Sequence, residues 1–229
     1  MNPKKNLKET IDYLKSKNKI LFLTTSTRWA GQEEEPKSSL LAKKIAEQLG
    51  DKVKIIDVSK LKIYTCEGNV STRTGNFCGE KPALLKDEKK NPSKCHRCWA
   101  SINNKDDELW IISKELLKSD VVVFFGSVRW GQANSIYQKL IERLTWLENR
   151  HSTLGEDNLL KNIDSGLILV GQNWNGEEVI KHQRKVLDYF GFKTPKWLFW
   201  NWQYTNNIND ESQDSYRKAF PKFKKDFGL

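Results

Sequence analysis

Two short turns of the sequence place an arginine directly before a tryptophan, and their side chains are well suited to chemistry. One turn, TTSTRWAGQ, contains Arg28 and Trp29, and the other, GSVRWGQANS, contains Arg129 and Trp130. A third turn, GQNWNGEE, adds Trp174 and several side-chain amides. Arginine binds anionic groups, indoles pack on flat rings, and amides hydrogen-bond to the edge of a ring. Together the three turns favour a site for a flat, polar, anionic ligand over three separate tryptophans that cap a core.

The first turn has the composition of a phosphate site. Ser26, Thr27 and Arg28 precede a helical segment. We expect Ser38 to be the N-cap of that helix, whose first turn would offer N–H donors and positive potential to an anion. The turn is neither a Walker A loop nor a G-x-G-x-x-G turn. Hydroxyls near a helix start are also ordinary caps, and the three glutamates at 33–35 oppose a dianion unless the loop bulges into solvent.

The hydrophobic pattern predicts the elements that position these turns. Apolar runs alternate with amphipathic helical segments, and the predicted strands are 19–25, 52–58, 120–126, 165–171 and 195–202. This alternation predicts an α/β fold with a doubly wound, five-stranded parallel sheet and helices on both faces. Ligands of such sheets bind at the carboxyl ends of the strands, where the strand order reverses. The three turns follow the first, third and fourth strands and should therefore meet at one edge.

Two segments interrupt the alternation. Segment 62–105 is predicted to be an insertion after the second strand, and the polar segment 149–162 follows a long helix predicted over 132–148. A helix over 210–226 is expected to end the fold. Neither interruption has the composition of a separate domain, so we predict a single domain over 1–229.

All four cysteines lie in the insertion. They are Cys66, Cys78, Cys95 and Cys98. The closing pair, CHRC, resembles half of a metal site or a redox pair. Structural zinc, a [4Fe–4S] cluster and free thiols remain open, with free or buried thiols preferred. The three histidines are scattered and expected at the surface: His96, His151 and His182.

Composition restricts the class of protein. The 229 residues are 38% hydrophobic and 30% charged, which is typical of a folded, water-soluble chain. No run approaches the roughly 18–20 apolar residues of a membrane span, and the charged first residues lack the apolar core of a signal peptide. We therefore expect a cytoplasmic protein without a membrane partner. The net charge of +10 admits nucleic acid, but the lysines are spread over helical segments, so a nucleic-acid partner is not expected.

Three motifs, in this order, resemble the NAD(P)H-dependent FMN reductases of the flavodoxin-like fold, with their quinone-reductase and iron–sulfur flavoprotein relatives. The S-x-R…S-x-x-L-A pattern corresponds to Ser26, Arg28 and SSLLA. A stretch like G-S-P-x-Y-x-G…K-x-x-I-D-R corresponds to GSVRWGQANSIYQKLIER, and a glycine-rich turn to GQNWNGEE. The similarity covers roughly residues 19–200. Val128 replaces the proline of the second motif, and its aromatic residue corresponds to Arg129 or Trp130.

The resemblance implies an oxidoreductase that passes electrons from NAD(P)H through FMN to a small acceptor such as a quinone. Because the flavin carries the chemistry, no catalytic side chain is predicted. The implied contacts of the flavin phosphate end are Ser26, Thr27, Arg28, Lys37, Ser38 and Ser39. The implied contacts of the flavin ring are Ser127, Val128, Arg129, Trp130, Gly131, Gly171, Gln172, Asn173, Trp174 and Asn175. The family's habit and the aromatic run WLFWNWQY also favour a homodimer or homotetramer.

Other classes of function are distinguished by separate features. A non-enzymatic flavodoxin-type electron carrier would lack NAD(P)H oxidation and would carry an acidic surface, which this chain does not have. A basic zinc-binding nucleic-acid module would need metal in the cysteine segment and salt-dependent binding. A phospho-receiver domain is rejected, because Thr25 and Gly126 stand at strand ends where that function needs acidic residues.

Overall fold

The apolar runs form strands and the amphipathic segments form helices in the computed structural model of the protein, which describes residues 2–28, 33–171, 174–205, 207 and 209–229. The strands are β1 (Ile20–Thr24), β2 (Val53–Asp57), β3 (Val121–Arg129), β4 (Gln132–Ala133), β5 (Asp164–Gly171) and β6 (Phe199–Gln203). The α-helices are α1 (Pro3–Lys15), α2 (Lys37–Glu47), α3 (Trp99–Asn103), α4 (Leu109–Leu116), α5 (Ser135–Ser152), α6 (Gly176–Tyr189) and α7 (Gln213–Phe227). Among the described residues, no helix is both long and apolar enough to cross a membrane.

Five strands form the predicted parallel sheet, in the order β2-β1-β3-β5-β6. The register pairs Phe22 of β1 with Val123 of β3, and Phe124 of β3 with Leu167 of β5. Every residue of β1 and β5 is buried, as expected for parallel strands that are covered on both faces. The α/β prediction with five parallel strands is therefore confirmed.

Helices cover both faces of the sheet. The chain leaves β1 for β2 in one direction and then crosses back to β3, β5 and β6 in the other. Because parallel crossovers are right-handed, α2 lies on one face and α4, α5 and α6 lie on the other. The helices α1, α2 and α7 pack together. On the opposite face, the Tyr137 hydroxyl of α5 donates to Oε1 of Gln183 in α6 at 3.1 Å.

The predicted boundary between the third strand and the long helix is wrong. The strand does not end at Gly126 but continues to Arg129, and residues 132–133 form β4 instead of opening the helix. The two strands pair antiparallel, and α5 begins only at Ser135. A hairpin therefore projects beyond the parallel sheet where the sequence predicted an irregular turn.

The far end of α5 also differs from the prediction. The polar segment predicted from residue 149 begins inside α5, which continues to Ser152. Asn149 and Arg150 are buried there. Nδ2 of Asn149 donates to the Cys78 carbonyl at 3.3 Å, and Nε of Arg150 donates to Glu156 at 2.8 Å. Their polar side chains thus contact neighbouring chain segments rather than solvent.

A buried ion pair fastens the segment between β2 and α4 to α5. The side chains of Arg143 and Asp107 have no exposed surface, and their closest atoms lie 2.8 Å apart. Arg143 also donates to the Tyr64 carbonyl at 2.7 Å and to the Ser101 hydroxyl at 3.0 Å. His96 is only 2% exposed, which corrects the expectation of a surface histidine. Hydroxyl groups satisfy both of its ring nitrogens within this network.

The four cysteines of this segment are free thiols, with Cys78 and Cys98 buried. Burial, followed by the neighbouring Cys98, raises the pKa of the Cys78 thiol to about 12. Nη2 of Arg143 lies 3.4 Å from the Cys98 sulfur. Within the part of the chain that the structure describes, no group of three or more His, Cys, Asp or Glu side chains is arranged to hold a metal ion.

Candidate functional site

An asparagine clamp joins the carboxyl ends of β1 and β3, the neighbouring strands between which the chain reverses direction. Nδ2 of Asn134 donates to the Thr25 carbonyl at 2.8 Å, and its Oδ1 accepts from the Ser127 N–H at 3.0 Å. A Cβ on Gly126 would lie 2.7 Å from that Oδ1, so the amide can approach only because residue 126 is glycine. Sequence reasoning missed Asn134, because the long helix was predicted to begin at residue 132, whereas α5 begins only at Ser135.

The first turn brings two predicted hydroxyls together. Oγ of Ser38 donates to Oγ of Ser26 at 2.8 Å, and both residues are buried. Ser38 is not the N-cap that the sequence predicted. Pro36 takes that position, α2 begins at Lys37, and the Pro36 carbonyl accepts from the Ser39 N–H. One residue inside the helix, the Ser38 side chain turns toward the end of β1 instead of capping the backbone.

The two cations of the first turn meet at one carboxylate. Oε1 of Glu34 lies 3.0 Å from Nη2 of Arg28 and 2.7 Å from Nζ of Lys37. Burial opposes ionisation of Glu34, but the ion pairs with Lys37 and Arg28 outweigh it and lower its pKa. The predicted phosphate contacts Arg28 and Lys37 therefore lie together beside an ionised side chain. Thr27 is exposed and Ser39 is half-buried next to them.

The second turn is a tight hairpin loop that presents an indole to solvent. Trp130 and Gly131 are the two residues between β3 and β4, and both have positive φ, at +49° and +67°. Two-residue hairpins need this conformation, which asparagine and glycine adopt readily but a bulky side chain does not. Trp130 is nevertheless 90% exposed. Backbone strain of this kind concentrates at functional sites.

The third turn contacts the hairpin loop. The rings of Trp174 and Trp130 meet edge to face, with their centroids 6.5 Å apart. Nδ2 of Asn175 donates to the Gly131 carbonyl at 2.9 Å, and Asn175 itself has a φ of +57°. The two turns that were predicted to hold a flat ring thus lie against each other, and each contains a residue in the left-handed region.

A close backbone approach and a nearby charge also bear on the position of the hairpin. A Cβ on Gly171 would lie 2.8 Å from Cβ of Val128, so β3 and β5 approach closely where they end. Burial and the neighbouring Tyr216 raise the pKa of Tyr204 to about 12, against the opposing effect of the positive charge of Arg129. The positive charge of Arg129 therefore acts electrostatically on Tyr204, which follows β6, whereas the Trp130 ring contacts the Trp174 ring.

Three residues that the sequence analysis placed at this edge lie outside the described residues: Trp29, Gln172 and Asn173. The remaining predicted contacts form two groups at the carboxyl edge. One group combines hydroxyls and cations, and the other combines indoles and an amide. Such a pair of groups can bind a molecule that has an anionic end and an aromatic end.

A separate groove with a volume of about 520 Å³ lies between α1, α2 and α7. Leu7, Ile11 and Phe227 contribute its apolar lining, and several lysines surround it. It contains none of the predicted cofactor contacts, so it has no bearing on the carboxyl-edge site.

No family model matches the sequence, and no curated protein matches it. Solved structures are similar over most of the chain. RosB with bound 8-demethyl-8-formylriboflavin-5'-phosphate has a TM-score of 0.56 at 15% identity, covering 90% of this chain and 73% of RosB. An azoreductase from Bacillus anthracis str. Sterne has a TM-score of 0.50 at 14% identity, covering 92% of this chain and 97% of the azoreductase. A flavone reductase has a TM-score of 0.51 at 13% identity, covering 92% of this chain and 62% of its own. Likeness at these identities shows the flavodoxin-like fold.

Proposed function

We propose that the protein is an FMN-binding oxidoreductase that passes electrons from NAD(P)H to a small acceptor such as a quinone. One observation carries the proposal. At the carboxyl edge of the sheet, the chain assembles a hydroxyl-and-cation group and an aromatic group on turns that follow β1, β3 and β5. This edge is where doubly wound sheets bind their ligands.

The side chains fit the two ends of FMN. Arg28 and Lys37 supply charge for a phosphate, with the Ser26 and Ser38 hydroxyls close by. The exposed indole of Trp130 supplies an apolar face for a ring system. When bound, the flavin would supply the hydride and electron chemistry. The chain's own residues would neutralise the phosphate, exclude water from the ring and, through the clamp, fix the spacing of the turns.

The comparisons lend support to a flavin ligand. RosB holds a riboflavin phosphate derivative, and the two other similar proteins are named as reductases. We extend the ligand class and the reaction class to this chain because its carboxyl edge offers matching groups. The net charge of +10 favours an enzyme over an electron carrier with an acidic surface.

The experiment has two stages. The purified protein is inspected for yellow colour and releasable FMN, and the ligand-free form is titrated with FMN while flavin fluorescence is followed. NADPH and NADH oxidation is then measured with a quinone as acceptor. Saturable FMN binding with turnover supports the proposal. A protein that binds no FMN contradicts it, and FMN binding without NAD(P)H oxidation would make the protein an electron carrier.

A substitution locates the phosphate end. Arg28→Ala should weaken FMN binding about tenfold, which corresponds to about 1.4 kcal/mol, because a charge-assisted contact is lost. Riboflavin lacks the phosphate, so its affinity should not change. Arg73→Ala, at an exposed position in the cysteine segment, is the matched control. Equal loss of both ligands would remove Arg28 from the phosphate site.

A further inference from the structure

We propose that Glu34 determines the specificity of the first turn by competing with the phosphate of the ligand for Arg28 and Lys37. The carboxylate lowers the affinity for flavins that carry a 5'-phosphate and leaves the affinity for uncharged flavin unchanged. The inference rests on the proposed function, because it takes a flavin as the ligand.

The geometry makes Glu34 a shared partner of the two cations. A single oxygen, Oε1, accepts from Nη2 of Arg28 at 3.0 Å and from Nζ of Lys37 at 2.7 Å. A phosphate oxygen bound between the same two cations would need the same position. Among the residues that the structure describes, no other carboxylate is within salt-bridge distance of either cation.

The environment makes this contact stronger than an ordinary surface pair. The side chain of Lys37 is 13% exposed and that of Glu34 is 25% exposed. Exposed pairs between residues three apart contribute little, because water screens them, but screening weakens as the charges are covered. Nζ of Lys37 also lies 5.1 Å from the centre of the Phe220 ring, which limits where the ammonium group can move. A phosphate must therefore displace Glu34 or share the cations with it.

The charges of the three side chains give the direction of the effect. Two cations and one carboxylate sum to +1, whereas a flavin phosphate carries close to two negative charges at neutral pH. With Glu34 in place, bound phosphate leaves the group with about one excess negative charge. A neutral residue at position 34 would balance the two cations against the phosphate.

The neighbouring Glu35 provides a matched control. Its Oε1 lies 2.5 Å from Nζ of Lys43, and among the described residues Glu35 forms no salt bridge with Arg28 or Lys37. Glu35→Gln removes one negative charge from the same loop without altering the two cations of the site. It therefore separates a local contact from the general effect of net charge.

The test compares dissociation constants for FMN and riboflavin, measured by quenching of flavin fluorescence. We expect Glu34→Gln to bind FMN about tenfold more tightly than the wild type, because the charge-assisted contacts become available to phosphate. Riboflavin affinity should stay within about twofold, and Glu35→Gln should resemble the wild type for both ligands. Unchanged or weaker FMN binding by Glu34→Gln, with a wild type that binds FMN, overturns the inference alone. If no variant binds either flavin, the proposed function and the inference both fail.

Discussion

At Trp130 the left-handed backbone should reverse the usual stability order of alanine and glycine variants. Trp130→Ala and Trp130→Gly both remove the indole and its contact with Trp174, so they differ only in the Cβ atom. A Cβ in the left-handed region costs about 1–2 kcal/mol. Glycine elsewhere is less stable than alanine by about 0.5–1 kcal/mol, because its unfolded chain is more flexible. At Trp130, with a φ of +49°, the strain exceeds this entropy difference.

We therefore expect Trp130→Gly to be more stable than Trp130→Ala by up to about 1.5 kcal/mol. Urea unfolding of the ligand-free variants measures the difference in unfolding free energy. In thermal unfolding, Trp130→Gly should melt at a higher temperature than Trp130→Ala, by about 2–4 °C for each kcal/mol. The control is the same pair of substitutions at Tyr189, a helical residue that is 72% exposed, where alanine should be the more stable. Both Trp130 variants should weaken FMN binding by the same factor, since both lack the ring.

The refuting result is simple to recognise. If Trp130→Ala is as stable as Trp130→Gly or more so, while the Tyr189 pair behaves normally, the hairpin loop does not hold residue 130 in the left-handed region. Backbone strain at residue 130 would then not be what presents the indole.

Three further predictions concern the buried polar groups. Burial lowers the pKa of the His96 ring to about 4, so between about pH 6.5 and pH 4 the unfolded chain binds a proton that the folded chain does not. Stability should thus fall by about 1.4 kcal/mol per pH unit on acidification, and His96→Gln should lose this part of the slope in urea titrations at several pH values. Arg143→Leu leaves the Asp107 carboxylate buried and unpaired, so it should cost about 3–5 kcal/mol of unfolding free energy; a loss below about 1 kcal/mol would show that the pair is hydrated. Gly126→Ala forces the Asn134 amide away from β1, which should weaken FMN binding in a folded protein; unchanged affinity would mean that the clamp does not position the turns.

Much of the fold was predictable because the central strands β1 and β3 are built on continuous apolar runs. A run such as 120–126 indicates a strand that is buried on both faces, and its alternation with helical segments selects a parallel sheet. The position of the ligand site at the carboxyl ends of the strands was predicted from the same alternation. It was therefore possible to predict that three turns meet before any contact was known.

The hairpin was not predictable, because its loop lacks the usual signal. Asn-Gly or Asp-Gly marks a two-residue hairpin, whereas Trp130-Gly131 places an unfavourable residue first. Ser38 was assigned to the wrong position for a related reason, since Pro36 two residues earlier supplies the start of α2. At the hairpin, the local preference was overridden by contacts that form only in the folded chain, such as the hydrogen bond from Asn175 to the Gly131 carbonyl.

The partners in the buried network were also hidden from the sequence. Arg143 and Asp107 are 36 residues apart, and His96 is bonded to hydroxyls from α3 and α4. No periodic pattern connects residues at such separations. The role of Glu34 was anticipated only as a cost to phosphate binding, because sequence alone does not show which cation a carboxylate contacts.

The reach of Arg143 has a consequence for how the molecule opens. Its guanidinium holds the chain at Tyr64 and again at Asp107, near the two ends of the long cysteine-bearing segment, and it belongs to α5. A segment with so little regular structure would ordinarily exchange its amide hydrogens piecemeal. Fastened at both ends by one side chain, it should instead open as a cooperative unit, with its slowest amides exchanging at the same rate as those of α5.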